Sequence, residues 1–228
     1  MLTPIYISFY TRGNGYEAEA MELGRTLDHF GLPGDLVPLP PFSNWVEACG
    51  YKPVFIQRMR EKHGKRPLVW LDADARVRQY PRLFLDMPLG TDFAAHWKDK
   101  TDSEPGELLS GTLYFAPTKA ADELLADWAR TCSARPREWD QHVLQNLVEG
   151  REGLKVQNLP PNYTQIFDLM AGAGEPVIEH MQASRRLRRR LSHANLAFST
   201  VDPTRRGPSV QALERGWLLR RRVHQSQA

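Results

Sequence analysis

Strand-like and helix-like segments alternate through the first two-thirds of the chain. That alternation restricts the fold to an α/β class with a largely parallel sheet flanked by helices. Ile5-Tyr-Ile-Ser-Phe9 is β-branched and aromatic, as a buried first strand should be. Thr11 to Gly15 supplies turn residues, and Tyr16–Phe30 reads as a helix with Ala18, Met21, Leu23 and Leu27 near helical spacing. Gly31 and Pro33 stop it. Leu36–Leu39 is a second strand, Pro53–His63 a second helix, and Pro67-Leu-Val-Trp-Leu71 a compact apolar strand. Beyond it the pattern predicts a short helix at Pro81–Leu85 and strands at Phe93–Trp97 and Gly111–Phe115. Helices follow over Lys119–Cys132, capped by Thr118, and over Glu138–Glu149, then a late strand at Val177–His180. A tail helix at Val210–Val223 is expected after a flexible stretch at 199–209. The expected division is one domain over 1–198 and a basic, helical tail over 199–228.

The chain has 228 residues, 41% hydrophobic and 25% charged, which are globular proportions. A single core of this size buries roughly 70% of the unfolded surface. No apolar run reaches the roughly 20 residues that span a bilayer. The N-terminal MLTPIYISFYTRGN lacks a basic start and a small-residue cleavage site, so it reads as a strand and not a signal peptide. Cys49 and Cys132 are too few and too far apart for a metal or disulfide framework, and a cytoplasmic setting is expected. Charge is uneven. Residues 185–228 hold 11 arginines, no lysine and only Asp202 and Glu214 as acids, while the whole chain is only +3. The body is therefore acidic and the C-terminal segment cationic. Either this segment meets a negatively charged partner, or it solvates well and pairs with the acidic body.

Asp72 and Asp74 follow the apolar strand directly. Ligands of open α/β sheets bind beyond the carboxyl ends of strands. Two carboxylates there repel one another unless a cation neutralises them. Hard oxygen donors suit Mg²⁺ or Mn²⁺, which commonly bind a few carboxylates together with substrate phosphates. The pair thus predicts a divalent ion bridging to a diphosphate; the competing reading is a solvated turn.

Pro67-Leu-Val-Trp-Leu-Asp-Ala-Asp-Ala75 resembles the strand and Asp-x-Asp motif of GT-A-fold glycosyltransferases, which use nucleotide-diphosphosugars. Ser110-Gly-Thr-Leu-Tyr-Phe115 with the helix after Thr118, Trp139-Asp-Gln-His-Val-Leu144, Leu159-Pro-Pro-Asn-Tyr163 and Pro176-Val-Ile-Glu-His180 resemble later segments of that family in order. The resemblance covers about residues 3–190 and is nearest to the bacterial and phage-type enzymes. It implies a Rossmann-like mixed, mostly parallel sheet with an Arg-rich C-terminal tail.

Roles follow from that resemblance. Asp72, Asp74 and His180 would hold Mn²⁺ or Mg²⁺, with the imidazole favouring Mn²⁺; otherwise His180 is an ordinary strand-end histidine. Tyr10, Thr11 and Tyr16 fall where the family binds base and ribose, or else are core and rim aromatics. Lys52, Arg185 and Arg186 would contact the nucleotide diphosphate, or simply solvate the surface. Gly111 would allow close approach of the sugar or acceptor to the backbone, or else it marks a strand bulge. Asp140 and Gln141 would face the sugar and acceptor, with Asp140 as a hydrogen-bonding group or general base; the alternative is a helix-start carboxylate. The Asp-Gln pair resembles that of some retaining members. His96 and Trp97 would meet the acceptor.

The implied activity moves a sugar, expected from a UDP-sugar, to an acceptor hydroxyl. The basic tail suits an anionic acceptor: a lipid-linked or cell-surface glycan, or a hydroxylated base in phage DNA. Arg188, Arg189, Arg190, Arg220, Arg221 and Arg222 would meet its phosphates. The setting would be the cytoplasm of a bacterial or phage-infected cell, with the protein at most peripheral to a membrane. Two rivals remain. A haloacid-dehalogenase-type phosphohydrolase also places Asp-x-Asp after an apolar strand, but Ala75-Arg76-Val77 fits that pattern poorly. A non-catalytic polyanion-binding protein explains the charge split but not the strand-end carboxylates.

Overall fold

The computed structural model of the protein describes residues 2–98, 106–170, 172, 174–185 and 187. The elements run β1 (Ile5–Thr11), α1 (Tyr16–His29), β2 (Gly34–Leu39), α2 (Trp45–His63), β3 (Leu68–Leu71) and β4 (Ala75–Val77). After a 3₁₀ turn at Arg82–Phe84 come β5 (Phe93–Lys98), β6 (Glu107–Phe115), α3 (Lys119–Ala134), α4 (Asp140–Glu149) and β7 (Val156–Asn158). A second 3₁₀ turn at Pro161–Tyr163 leads to β8 (Gln165–Ile166) and β9 (Ile178–His180).

The main sheet has the order β2-β1-β3-β6-β5-β7. β1 pairs in parallel with β2 and β3, and β5 with β7, whereas β6 runs antiparallel to both β3 and β5. A second sheet, β4-β9-β8, hangs from the end of β3. Strand alternation divides the core into two layers. Ile5, Ile7, Leu68, Trp70, Leu113 and Phe115 face α2, α3 and α4. Tyr6, Val69, Leu71 and Tyr114 face α1 and the small sheet. Trp128 on α3 is fully buried, and its indole N–H donates to the Asp140 carbonyl at 2.9 Å. That bond sets the start of α4 against α3.

Local chemistry accounts for where the helices begin. Thr118 accepts the Ala121 N–H, as its cap role predicts. α2 starts at Trp45, well before the expected Pro53, because Asn44 accepts the Glu47 N–H at 2.9 Å and Glu47 accepts the Ser43 N–H at 3.0 Å. Pro53 then lies inside the helix, buried with Tyr51 and Phe55; packing outweighs its unfavourable propensity. β6 begins at Glu107 and not Gly111. β4, β7 and β8 have two or three residues each, too few for any periodicity to register. The tail helix and the arginines after Leu187 lie outside the described residues. Among the described residues no helix is long and apolar enough to cross a membrane.

Candidate functional site

A cleft of about 530 Å³ opens at the carboxyl ends of β1 and β3. At its centre the chain leaves β3, and the Asp72 N–H donates to the Gly111 carbonyl at 2.9 Å. The Ala75 N–H returns to the Asp72 carbonyl, so residues 72–75 form a tight turn with both carboxylates in the cleft. β9 pairs antiparallel with β4 and places His180 opposite Ala75. One ligand atom from each of Asp72, Asp74 and His180 then lies within 4.8 Å of the others.

The residues fit a divalent cation. His180 is buried, and its Nε2 lies 2.8 Å from the Thr112 hydroxyl. Its Nδ1 has no hydrogen-bond partner and sits 3.8 Å from Asp74 Oδ1. An imidazole anchored through one nitrogen, with the other directed at carboxylates, is arranged as metal ligands are. The ligand atoms of an octahedral Mg²⁺ or Mn²⁺ stand roughly 3–4 Å apart. Gly111 makes room for the ring: a Cβ there would lie 2.9 Å from His180 Cε1. The turn after β9 is pinned as well. Gln182 adopts the left-handed conformation with φ 51°, and the Ala183 N–H reaches Asp74 Oδ2 at 2.7 Å. Burial alone would raise the Asp74 carboxyl; His180 and the Ala183 N–H outweigh it and hold its pKa below the ordinary value.

A second buried group abuts the first. Lys52 Nζ lies 3.3 Å from Asp72 Oδ1 and 3.2 Å from Asp140 Oδ2. It also donates to the Ser110 hydroxyl at 3.1 Å and sits 5.5 Å over the Trp70 ring. Burial alone would lower the lysine, but Asp140 and Asp72 outweigh it, and its pKa is raised. Asp140 is 2% exposed, and burial lifts its pKa against the opposing pull of Lys52. Gln141 accepts from the Ser110 N–H at 3.1 Å and donates to Glu107 at 2.6 Å. Lys52 thus joins the metal-type carboxylate to the first residue of α4.

Of the residues the sequence singles out, Tyr10, Thr11, Tyr16, Lys52, Asp72, Asp74, Gly111, Asp140, Gln141 and His180 all line the cleft. Arg185 does not. Its guanidinium pairs with Asp168 at 3.0 Å on the exposed surface. Arg186 lies outside the described residues. His96 is buried with Nδ1 2.8 Å from the Leu159 carbonyl, and Trp97 packs on the core; neither lines the cleft. Sequence reading missed the Ser110–Gln141–Glu107 chain, because its members meet only after β6 packs on α4. It also missed Trp45 and Trp139, which line the mouth with ring centroids 6.1 Å apart. A tryptophan at the entry of each helix was the available signal.

Comparison with known proteins agrees with this fold. A family model described as nucleotide-diphospho-sugar transferase matches residues 67–195. The glycosyltransferase involved in glycosylation of the major capsid of PBCV-1 superposes with a TM-score of 0.61 at 15% identity, over 84% of this chain and 100% of that one. Glycosyltransferase GlyE of Streptococcus pneumoniae TIGR4 gives 0.54 at 14% identity, over 85% of this chain and 64% of that one. The galactosyltransferase LgtC, solved with donor and acceptor sugar analogs, gives 0.51 at 12% identity, over 87% and 98%. At these identities the likeness is one of fold, and the fold is GT-A. No curated protein matches the sequence significantly.

Proposed function

Because the chain belongs to the nucleotide-diphospho-sugar transferase family, we propose that it moves a sugar from a UDP-sugar to an acceptor hydroxyl, with Mn²⁺ held by Asp72, Asp74 and His180. The carrying observation is the meeting of two carboxylates with an imidazole nitrogen that lacks a partner, inside the cleft. The family is one of transferases, which leaves the phosphohydrolase and non-catalytic readings without support.

The bound ion would act as a Lewis acid on the leaving diphosphate. Every other contribution falls to the chain. Tyr10 and Thr11, at the end of β1, and Tyr16, at the start of α1, take the base and ribose. Asp72 and Asp74 are held by the turn at 72–75 and by Ala183, so little reorganisation is needed as charge develops. Asp140 presents its carboxylate to the reacting sugar or the acceptor hydroxyl. Lys52 keeps that carboxylate and Asp72 in fixed relation, and Gln141, committed to Ser110 and Glu107, is a positioning residue. Residues 1–198 form the transferase domain and 199–228 a basic tail for anionic surfaces. The acceptor class is a cell-surface or lipid-linked glycan, or a hydroxylated base in phage DNA.

Calorimetry with UDP and Mn²⁺ tests the reading. The parent protein is expected to bind UDP only with the metal, and Asp74→Ala to lose at least tenfold in affinity with its fold intact. Equal affinity in the two proteins would overturn the assignment. A panel of nucleotide-sugars scored for Mn²⁺-dependent hydrolysis identifies the donor.

A further inference from the structure

The mouth of the cleft carries aromatic surface that the donor reading does not use. Trp139 is 41% exposed. It occupies the N-cap of α4 and makes no side-chain capping bond, where Ser, Thr, Asp or Asn would stabilise the helix. Its ring centroid lies 6.1 Å from that of Trp45 and 5.1 Å from that of exposed His142, the latter edge to face. Both tryptophans line the cleft beside polar groups: Ser43 and Asn44 precede Trp45, and Asp140 and Gln141 follow Trp139. Apolar faces with a few convergent polar groups are how small-molecule sites are built. A pyranose presents such a surface in reverse, with C–H groups on its faces and hydroxyls at its edge.

Charge decides between occupants. Among the described lining residues, Asp72, Asp74 and Asp140 stand against Lys52 as the one ammonium or guanidinium, and Lys52 is buried and paired with two of those carboxylates. A strand of DNA needs cationic contacts to its phosphates, and among the described residues lining the cleft none beyond the paired Lys52 offers one. Building on the transferase reading above, we infer that Trp45 and Trp139 form the acceptor subsite and that the acceptor is an uncharged saccharide stacked on them.

The test uses the full chain, the donor found by hydrolysis, and a panel of methyl glycosides of common hexoses, alongside single-stranded DNA containing hydroxymethylcytosine. Transfer to at least one glycoside is expected. Trp139→Ala should raise the acceptor KM about tenfold with a much smaller change in kcat, and should leave UDP–Mn²⁺ affinity by calorimetry within twofold of the parent. Trp139→Phe should recover most of the acceptor affinity. Saturable quenching of tryptophan fluorescence by the same glycosides, lost in Trp139→Ala, reads binding without chemistry. An unchanged acceptor KM in both Trp139→Ala and Trp45→Ala overturns the inference, as does transfer to DNA alone, or no saturable quenching in the parent. A parent that fails to bind UDP with Mn²⁺ overturns the transferase reading instead, whatever the fluorescence shows.

Discussion

Gly111 shows how much a missing side chain can decide. Its φ is ordinary, so backbone freedom is not the reason for glycine there; the reason is the His180 ring, which a Cβ would meet at 2.9 Å. Gly111→Ala should therefore fold, yet push the imidazole out of line and weaken Mn²⁺ binding about tenfold or more, by analogy with groups that orient metal ligands. Metal titration followed by calorimetry checks this. Lys52 makes the complementary case. Removing one partner of a buried ion pair strands the other, at a cost of about 3–5 kcal/mol. Lys52→Met should destabilise the protein by about that much in urea unfolding. Adding Asp140→Asn should restore part of the loss, and no restoration would mean the lysine stabilises by packing alone. Asp72 and Asp74 were legible as a candidate site because two carboxylates after an apolar strand carry a cost that a cation relieves. The role of Gly111 toward His180 was not, since it depends on a contact across 69 positions of chain that no local pattern encodes.

Among the elements, periodicity identified those long enough to show it. β1, α1 and α3 stand within a few residues of their expected bounds. α2 did not, because Pro53 reads as a helix start while the real start is the Ser43–Asn44–Glu47 cap. The capped helices give a direct check. Thr118 both accepts the Ala121 N–H and donates to Asp92 at 2.7 Å; Thr118→Ala should cost about 1–2 kcal/mol by thermal or urea melting. The junction of β2 with α2 is expected to depend on pH. Asp35 meets Lys62 and His63 at 2.7 Å each. Burial alone would raise its carboxyl, and the hydrogen bonds from Lys62 and His63 outweigh that, so its pKa lies below the ordinary 3.8. Folding therefore favours the carboxylate. The contribution is fully present above about pH 4 and is lost as pH falls through the lower folded value. Asp35→Asn should melt below the parent at neutral pH, with the gap narrowing in stronger acid; a gap that stays constant would remove the linkage.

Across the whole molecule, strand–helix alternation made the α/β class readable, but not the antiparallel insertion of β6 between β3 and β5. An antiparallel neighbour leaves no trace in the composition of a buried strand. The charge split was equally plain, and truncation tests its use. A chain ending at residue 198 should keep its melting temperature within a few degrees and its UDP–Mn²⁺ affinity, while its salt-sensitive adsorption to anionic vesicles weakens but is not abolished, since Arg188, Arg189 and Arg190 remain. A large fall in melting temperature would show that the tail contributes to the domain. The small sheet has a further consequence. Asp74 and the β9 turn that secures it are separated by 109 positions, and loop closure over such a span is entropically unfavourable until neighbouring strands hold it. A nascent polypeptide stopped before residue 178 would carry both aspartates and still lack the imidazole. Tight cation capture would therefore certify that synthesis has passed β9 and that it has docked, so half-made copies would not sequester a divalent ion.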